Sequence, residues 1–165
     1  MTIRTRLIEY RHDDITLEGF LAWDDTTGTP RPAVAISHTW AGRSPFEEEK
    51  AVALARQGYV GFAIDMYGKG VLGSTPEENT ALMTPLMEDR ALLQARIGSA
   101  VEVLRQQAEV DPARVAAMGY CFGGLCVLDL ARSGSDVAGV VSFHGLFGAP
   151  GNTVGKSITA RVLCL

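Results

Sequence analysis

The stretch RVAAMGYCFGGLCVLDLA, residues 114–131, decides the fold of this chain. It opens on an apolar run, Arg114-Val115-Ala116-Ala117-Met118, and closes on a helix-like apolar stretch from Leu125 to Ala131. Between them Gly119-Tyr120-Cys121-Phe122-Gly123, with Gly124 following, sets a thiol among glycines. The order reads as strand, sharp turn and helix, with Cys121 at the apex. The glycines are required because such a turn is strained and its helix packs close against the neighbouring strand. A bulky side chain on either side would clash.

The chain on either side of this turn alternates strands with helices. Ile3 to Tyr10 and Ile15 to Trp23 both alternate apolar and polar residues, which predicts an antiparallel hairpin turning at His12-Asp13-Asp14. A polar loop is expected over 24–31. Pro32 to Ser37 is a continuous apolar run suited to a strand buried on both faces. A helix is expected over 46–57, its acidic first turn Glu47-Glu48-Glu49 matching the helix dipole and Gly58 ending it. Tyr59 to Met66 reads as a buried strand. Thr75-Pro76-Glu77-Glu78 has the form of a capping box with proline at the first helical position. A second, longer helix is expected from about Met87 to Gln107, and Asp111-Pro112 should break the chain before a strand over 114–119. Further strands are expected over 137–143 and 158–165. This pattern predicts one domain over 1–165, of α/β class, with a mostly parallel sheet and helices on both faces.

Composition narrows the function. A chain of 165 residues with 47% hydrophobic and 21% charged residues can bury a core of ordinary size. Its net charge of −4 gives no reason to expect nucleic acid as a partner, and no apolar run approaches a membrane span. The first six residues are followed by no apolar segment, so they do not read as a secretory signal. The cysteines, Cys121, Cys126 and Cys164, form neither a CxxC pair nor a metal-binding spacing, and their number, 3, is odd. Together these point to a reducing cytoplasm, with no metal or other cofactor. Gly68-Lys69-Gly70 and Gly155-Lys156-Ser157 both lack the spacing of a phosphate-binding loop.

From about Ile15 onward the chain resembles the dienelactone hydrolase family, cysteine-dependent members of the α/β-hydrolase fold. Gly119-Tyr120-Cys121-Phe122-Gly123-Gly124 is similar to that family's nucleophile elbow. Asp65-Met66-Tyr67-Gly68-Lys69-Gly70 resembles the segment after its fourth strand, and Ser142-Phe143-His144-Gly145 the end of its sixth. The resemblance implies a triad in the order Cys, Asp, His. It places the acid and the histidine beyond Leu165, so that the C-terminal strand and helices of the fold would lie outside this sequence. It implies hydrolysis of a small-molecule ester or lactone through an acyl-thioester on Cys121, with the oxyanion held by the backbone amides of Phe122 and Trp40.

Candidate pocket residues follow from the same comparison. Thr39 stands where the family often carries a thiol-holding glutamate, and it reads equally as a turn residue or a pocket donor. His38 and His144 lie at strand ends facing the site, where an imidazole could act as base or line the pocket. Lys69 occupies a position where some relatives pair an arginine with a substrate carboxylate; a solvated loop lysine is the competing reading. Tyr67 beside it is a candidate lining residue. Arg90 and Arg96 read as surface residues, and Cys126 and Cys164 as packing residues. The C-terminal run would leave an apolar strand edge through which copies of the chain could associate. Two other functions fit the sequence: an α/β-hydrolase-like binding domain without catalysis, and a reactive thiol used in redox or acyl transfer.

Overall fold

A computed structural model describes residues 1–26 and 28–165; Thr27, within the polar loop expected over 24–31, lies outside the described residues. Seven strands form one sheet: β1 (Ile3–His12), β2 (Ile15–Asp24), β3 (Arg31–Ser37), β4 (Val60–Ala63), β5 (Val110–Tyr120), β6 (Gly139–Phe143) and β7 (Arg161–Cys164). Their spatial order is β1-β2-β4-β3-β5-β6-β7. The first two strands form the expected hairpin, Ile3 opposite Asp24 and His12 opposite Ile15. Asp13 takes a positive φ of 53° at its turn. Strand β2 meets β4 antiparallel, and every pairing from β4 to β7 is parallel.

Among the described residues four helices cover the sheet: α1 (Pro45–Arg56), α2 (Pro76–Glu88), α3 (Arg90–Arg105) and α4 (Phe122–Arg132). Alternation along the strands divides the core in two. Ala33, Ala35, Val115, Ala117 and Val140 pack with Leu93 and Ile97 of α3 and Leu125 and Val127 of α4. Ile36 and Ala22 pack instead with Ala51 and Ala55 of α1. Gly61 lets α1 sit directly on β4, because a Cβ there would lie 2.5 Å from the Cα of Ala51. No helix among the described residues is long and apolar enough to cross a membrane.

The two helices expected between Thr75 and Gln107 form as α2 and the longer α3, and three other features depart from the sequence expectation, each for a local reason. Asp89 sits outside helical geometry and its carboxylate accepts from Leu92 N at 2.9 Å, so it starts α3 where α2 ends. At the start of α2, Thr75 caps Glu78 N as expected, but the Glu78 carboxylate reaches back to Ser74 N and Oγ rather than to Thr75 N. The strand expected over 59–66 stops at Ala63, because the Asp65 carboxylate gathers the amides of Tyr67 and Gly68, both at 2.9 Å, into a turn. Strand β5 begins at Val110, ahead of Asp111-Pro112. A register shift between the pairings Arg31–Val110 and Ala33–Val115 absorbs the proline, so it does not break the strand.

Candidate active site

Strand β5 delivers Cys121 into a turn that few residues tolerate. Its φ of 55° and ψ of −115° lie outside the allowed regions for a residue with a Cβ, a strain of roughly 1–3 kcal/mol. Three groups hold it there. Cys121 N donates to Phe143 O of β6 at 3.0 Å, and Cys121 O accepts from Gly124 N at 3.0 Å and Leu125 N at 3.3 Å. The flanking glycines allow the close approach: a Cβ on Gly119 would lie 2.1 Å from Gly123 O, and one on Gly123 would lie 2.2 Å from Ser37 O. The thiol therefore stands half-exposed at the N-terminus of a fully buried helix, where the helix dipole favours an anion. Cys126 on α4 is buried, and burial pushes its thiol pKa up, so it is inert. Cys164 is exposed on β7.

The loop after β3 faces this turn. His38 is 0% exposed, and both of its ring nitrogens meet backbone: Nε2 accepts from Met66 N at 3.1 Å, and Nδ1 lies 2.6 Å from Thr39 O. An amide only donates and a carbonyl only accepts, so the proton is on Nδ1 and the ring is neutral. Desolvation by burial lowers its pKa, outweighing the bond to Thr39 O and the nearby carboxylates of Asp65 and Glu47. Tyr67 packs its ring against Phe122 at 5.8 Å and edge-on to His38 at 4.7 Å. Its hydroxyl donates to Trp40 O at 3.0 Å. Among the described residues neither Trp40 N nor Phe122 N is donated to another protein group. The structure thus gathers Cys121, Phe122, Trp40, His38 and Tyr67 into one contact group, with Tyr67 and His38 largely withdrawn from solvent.

The remaining candidates lie further out. Thr39 is half-buried, and its amide lies 3.4 Å from Glu47 Oε1. His144 follows β6 with a positive φ of 41°, its amide donating to Leu165 O at 2.7 Å and its ring exposed. Lys69 forms ion pairs with Glu9 and, at 3.4 Å, with Glu18; the bond to Glu9 raises its pKa, and its charge is already compensated by these two carboxylates. Arg90 and Arg96, expected on the surface, are structural. Arg90 donates to the buried Asp129 at 2.7 Å, and Arg96 is buried and donates to Met66 O at 3.0 Å. Both face α3's inner side, which the sequence reading placed outward.

Sequence reading placed Glu47 in the first turn of a helix, as found, but not its burial or its cap. Its carboxylate is fully buried and completes a capping box on Ser44, accepting from Ser44 N at 2.9 Å and Oγ at 2.8 Å. The spacing Ser44-x-x-Glu47 carried that signal. Asp65, buried beneath Tyr67, has no such local pattern; its third bond, to Glu18 N at 3.1 Å, comes from another strand. No group of three or more His, Cys, Asp or Glu among the described residues could hold a metal ion.

A sheet of this order, with a strained thiol at the strand–helix turn after β5, defines an α/β-hydrolase fold. Residues 17–164 match the dienelactone hydrolase family, and the chain belongs to it. The solved structure of m3DLH superposes with a TM-score of 0.91 at 35% identity, over 98% of this chain and 68% of that one. A dienelactone hydrolase-like promiscuous phosphotriesterase from metagenomic libraries superposes with a TM-score of 0.92 at 31% identity, over 98% of this chain and 67% of that one. A probable 2-oxo-3-(5-oxofuran-2-ylidene)propanoate lactonase of Bradyrhizobium sp is 27% identical over 129 residues, 78% of this chain. This chain spans 51% of the lactonase's length.

Proposed function

We propose that this chain carries the nucleophile and oxyanion hole of a hydrolase acting on a small-molecule carboxylic ester or lactone. The observation that carries the reading is Cys121 itself, a half-exposed thiol held at φ 55° on the N-terminus of α4. Strain around a thiol is retained where it aims the sulfur at a substrate. The Cys121 thiolate attacks the carbonyl carbon, an S–C bond forms, and the carbonyl electron pair moves to oxygen, where Phe122 N and Trp40 N receive it. As the intermediate collapses, the C–O bond to the alcohol breaks and the leaving oxygen takes up a proton. Water then cleaves the thioester, giving the acid and regenerating the thiol. Activation of that water calls for a histidine base, and His144 is the candidate within the sequence. The three unpaired cysteines support a reducing, cytoplasmic setting.

Acylation can be read apart from turnover. Incubated with p-nitrophenyl acetate, the protein should release a burst of p-nitrophenolate and retain acetyl on the peptide containing Cys121, and Cys121→Ala should lose both. Iodoacetamide should label Cys121 and Cys164 in the native protein and reach Cys126 only after unfolding. A burst of equal size from Cys121→Ala would overturn the reading.

A further inference from the structure

We propose that His38 is a positioning residue for the oxyanion hole: its fixed tautomer sets the direction of the Trp40 amide. The inference rests on the reading of Cys121 as the nucleophile and extends it to a residue that never meets substrate.

The argument runs through one peptide plane. The Thr39–Trp40 peptide bond is trans, as all are in the described chain, so its C=O and N–H point in opposite directions. Thr39 O is drawn onto His38 Nδ1 at 2.6 Å, which turns Trp40 N–H away from the buried ring. The ring cannot turn over to present its other nitrogen, because Met66 N holds Nε2 at 3.1 Å. Met66 is itself fixed, its carbonyl accepting from Arg96 Nη1 at 3.0 Å. The next peptide plane is held in the same way, Tyr67 Oη donating to Trp40 O at 3.0 Å. Two successive peptides of the loop are thus oriented by side chains shielded from water, and the amide between them is left undonated. An oxyanion donor acts only if its direction is set before charge develops, since reorientation during the reaction cancels the gain.

Two substitutions separate the two ring nitrogens. His38→Asn places an amide N–H where Nδ1 stands and keeps the bond to Thr39 O. His38→Gln places a carbonyl oxygen where Nε2 stands and keeps only the bond from Met66 N. The assay compares acylation of Cys121 by p-nitrophenyl acetate with its alkylation by iodoacetamide. Alkylation is displacement at saturated carbon and builds no oxyanion, so it reports thiol access and reactivity alone. Loss of a whole donor costs about 10²–10³-fold, so His38→Gln should lower acylation relative to alkylation by about 10–100-fold. His38→Asn should stay within about threefold of wild type, and Tyr67→Phe, which keeps the ring packing, should fall between the two. Equal acylation-to-alkylation ratios in wild type, His38→Gln and Tyr67→Phe would overturn the proposal while leaving Cys121 as nucleophile. A wild-type protein that alkylates but never acylates at Cys121 would instead overturn the nucleophile reading, and this inference with it.

Discussion

Adding a single methyl group at Gly119 should separate the elbow from its helix. A Cβ there would stand 2.1 Å from Gly123 O, 2.3 Å from Gly123 C and 2.9 Å from Gly124 N. All three are backbone atoms of the first turn of α4, so no rotamer change relieves the contact. Ordinary carbon–oxygen contact lies about 1 Å further out, and α4 must retreat from β5 by a comparable distance. That retreat pulls against the amide bonds on Cys121 O and against a core in which residues 122–131 of α4 are all buried. Overpacking into side chains costs about 1–3 kcal/mol, and a backbone wall puts Gly119→Ala at the upper end, about 3 kcal/mol. For a chain of this size that is a fall in Tm of about 6–12 °C. Gly98→Ala is the matched control. Gly98 lies inside α3 with nothing within 4 Å of a Cβ, so the same methyl should stabilise by about 0.5–1 kcal/mol and raise Tm by about 1–4 °C. Thermal melts followed by far-UV circular dichroism read both. A Gly119→Ala protein melting within about 1 °C of its parent would refute the backbone-contact reasoning.

Two further outcomes follow from buried charge. Arg90→Met leaves Asp129, whose side chain is 0% exposed, with only Arg132 at 3.2 Å, and should cost about 3 kcal/mol by urea denaturation; a loss under about 1 kcal/mol would mean that Arg132 alone compensates the carboxylate. His38 binds its proton less tightly folded than unfolded, so the unfolded state gains protons first and stability falls as pH drops below about 6.5. The groups facing it are Asp65, Glu47 and Arg43. His38→Asn removes the titration, so its stability between pH 8 and 5.5 should be flatter than wild type's by at most about 1.4 kcal/mol per pH unit; identical slopes would refute it.

The elbow and the opening hairpin were legible in the sequence because both are written locally, in glycines and in strict alternation. The fold class followed from the same signals. What local pattern could not supply was partnership across the chain. Lys69 meets Glu9 from 60 positions away, and Arg90 meets Asp129 from 39, so neither the compensated lysine nor the half-buried arginine leaves a mark on its neighbours in sequence. The boundary between α2 and α3 was expected near Met87 and falls at Asp89, because a helix cap depends on one dihedral and one side-chain bond rather than on hydropathy. His38 shows the limit most clearly. A histidine at a strand end is visible in the sequence, but its neutral tautomer depends on Met66 N and Thr39 O, which only the folded loop brings to its two nitrogens.

The approach of Gly123 to Ser37 O and His38 O has a consequence for how such a protein can change. It joins the thiol's helix to the loop bearing the second amide through main chain alone. The spacing between the thiol's turn and the loop after β3 is therefore set by backbone contact, while His38 and Tyr67 hold the peptides on either side of Trp40 by hydrogen bonds. Exposed side chains such as Phe46 and Leu146 take no part in that backbone contact and can be exchanged without altering it. Surface side chains and elbow geometry are in this way separately heritable, and selection or engineering can reshape the first while the second is carried along unaltered.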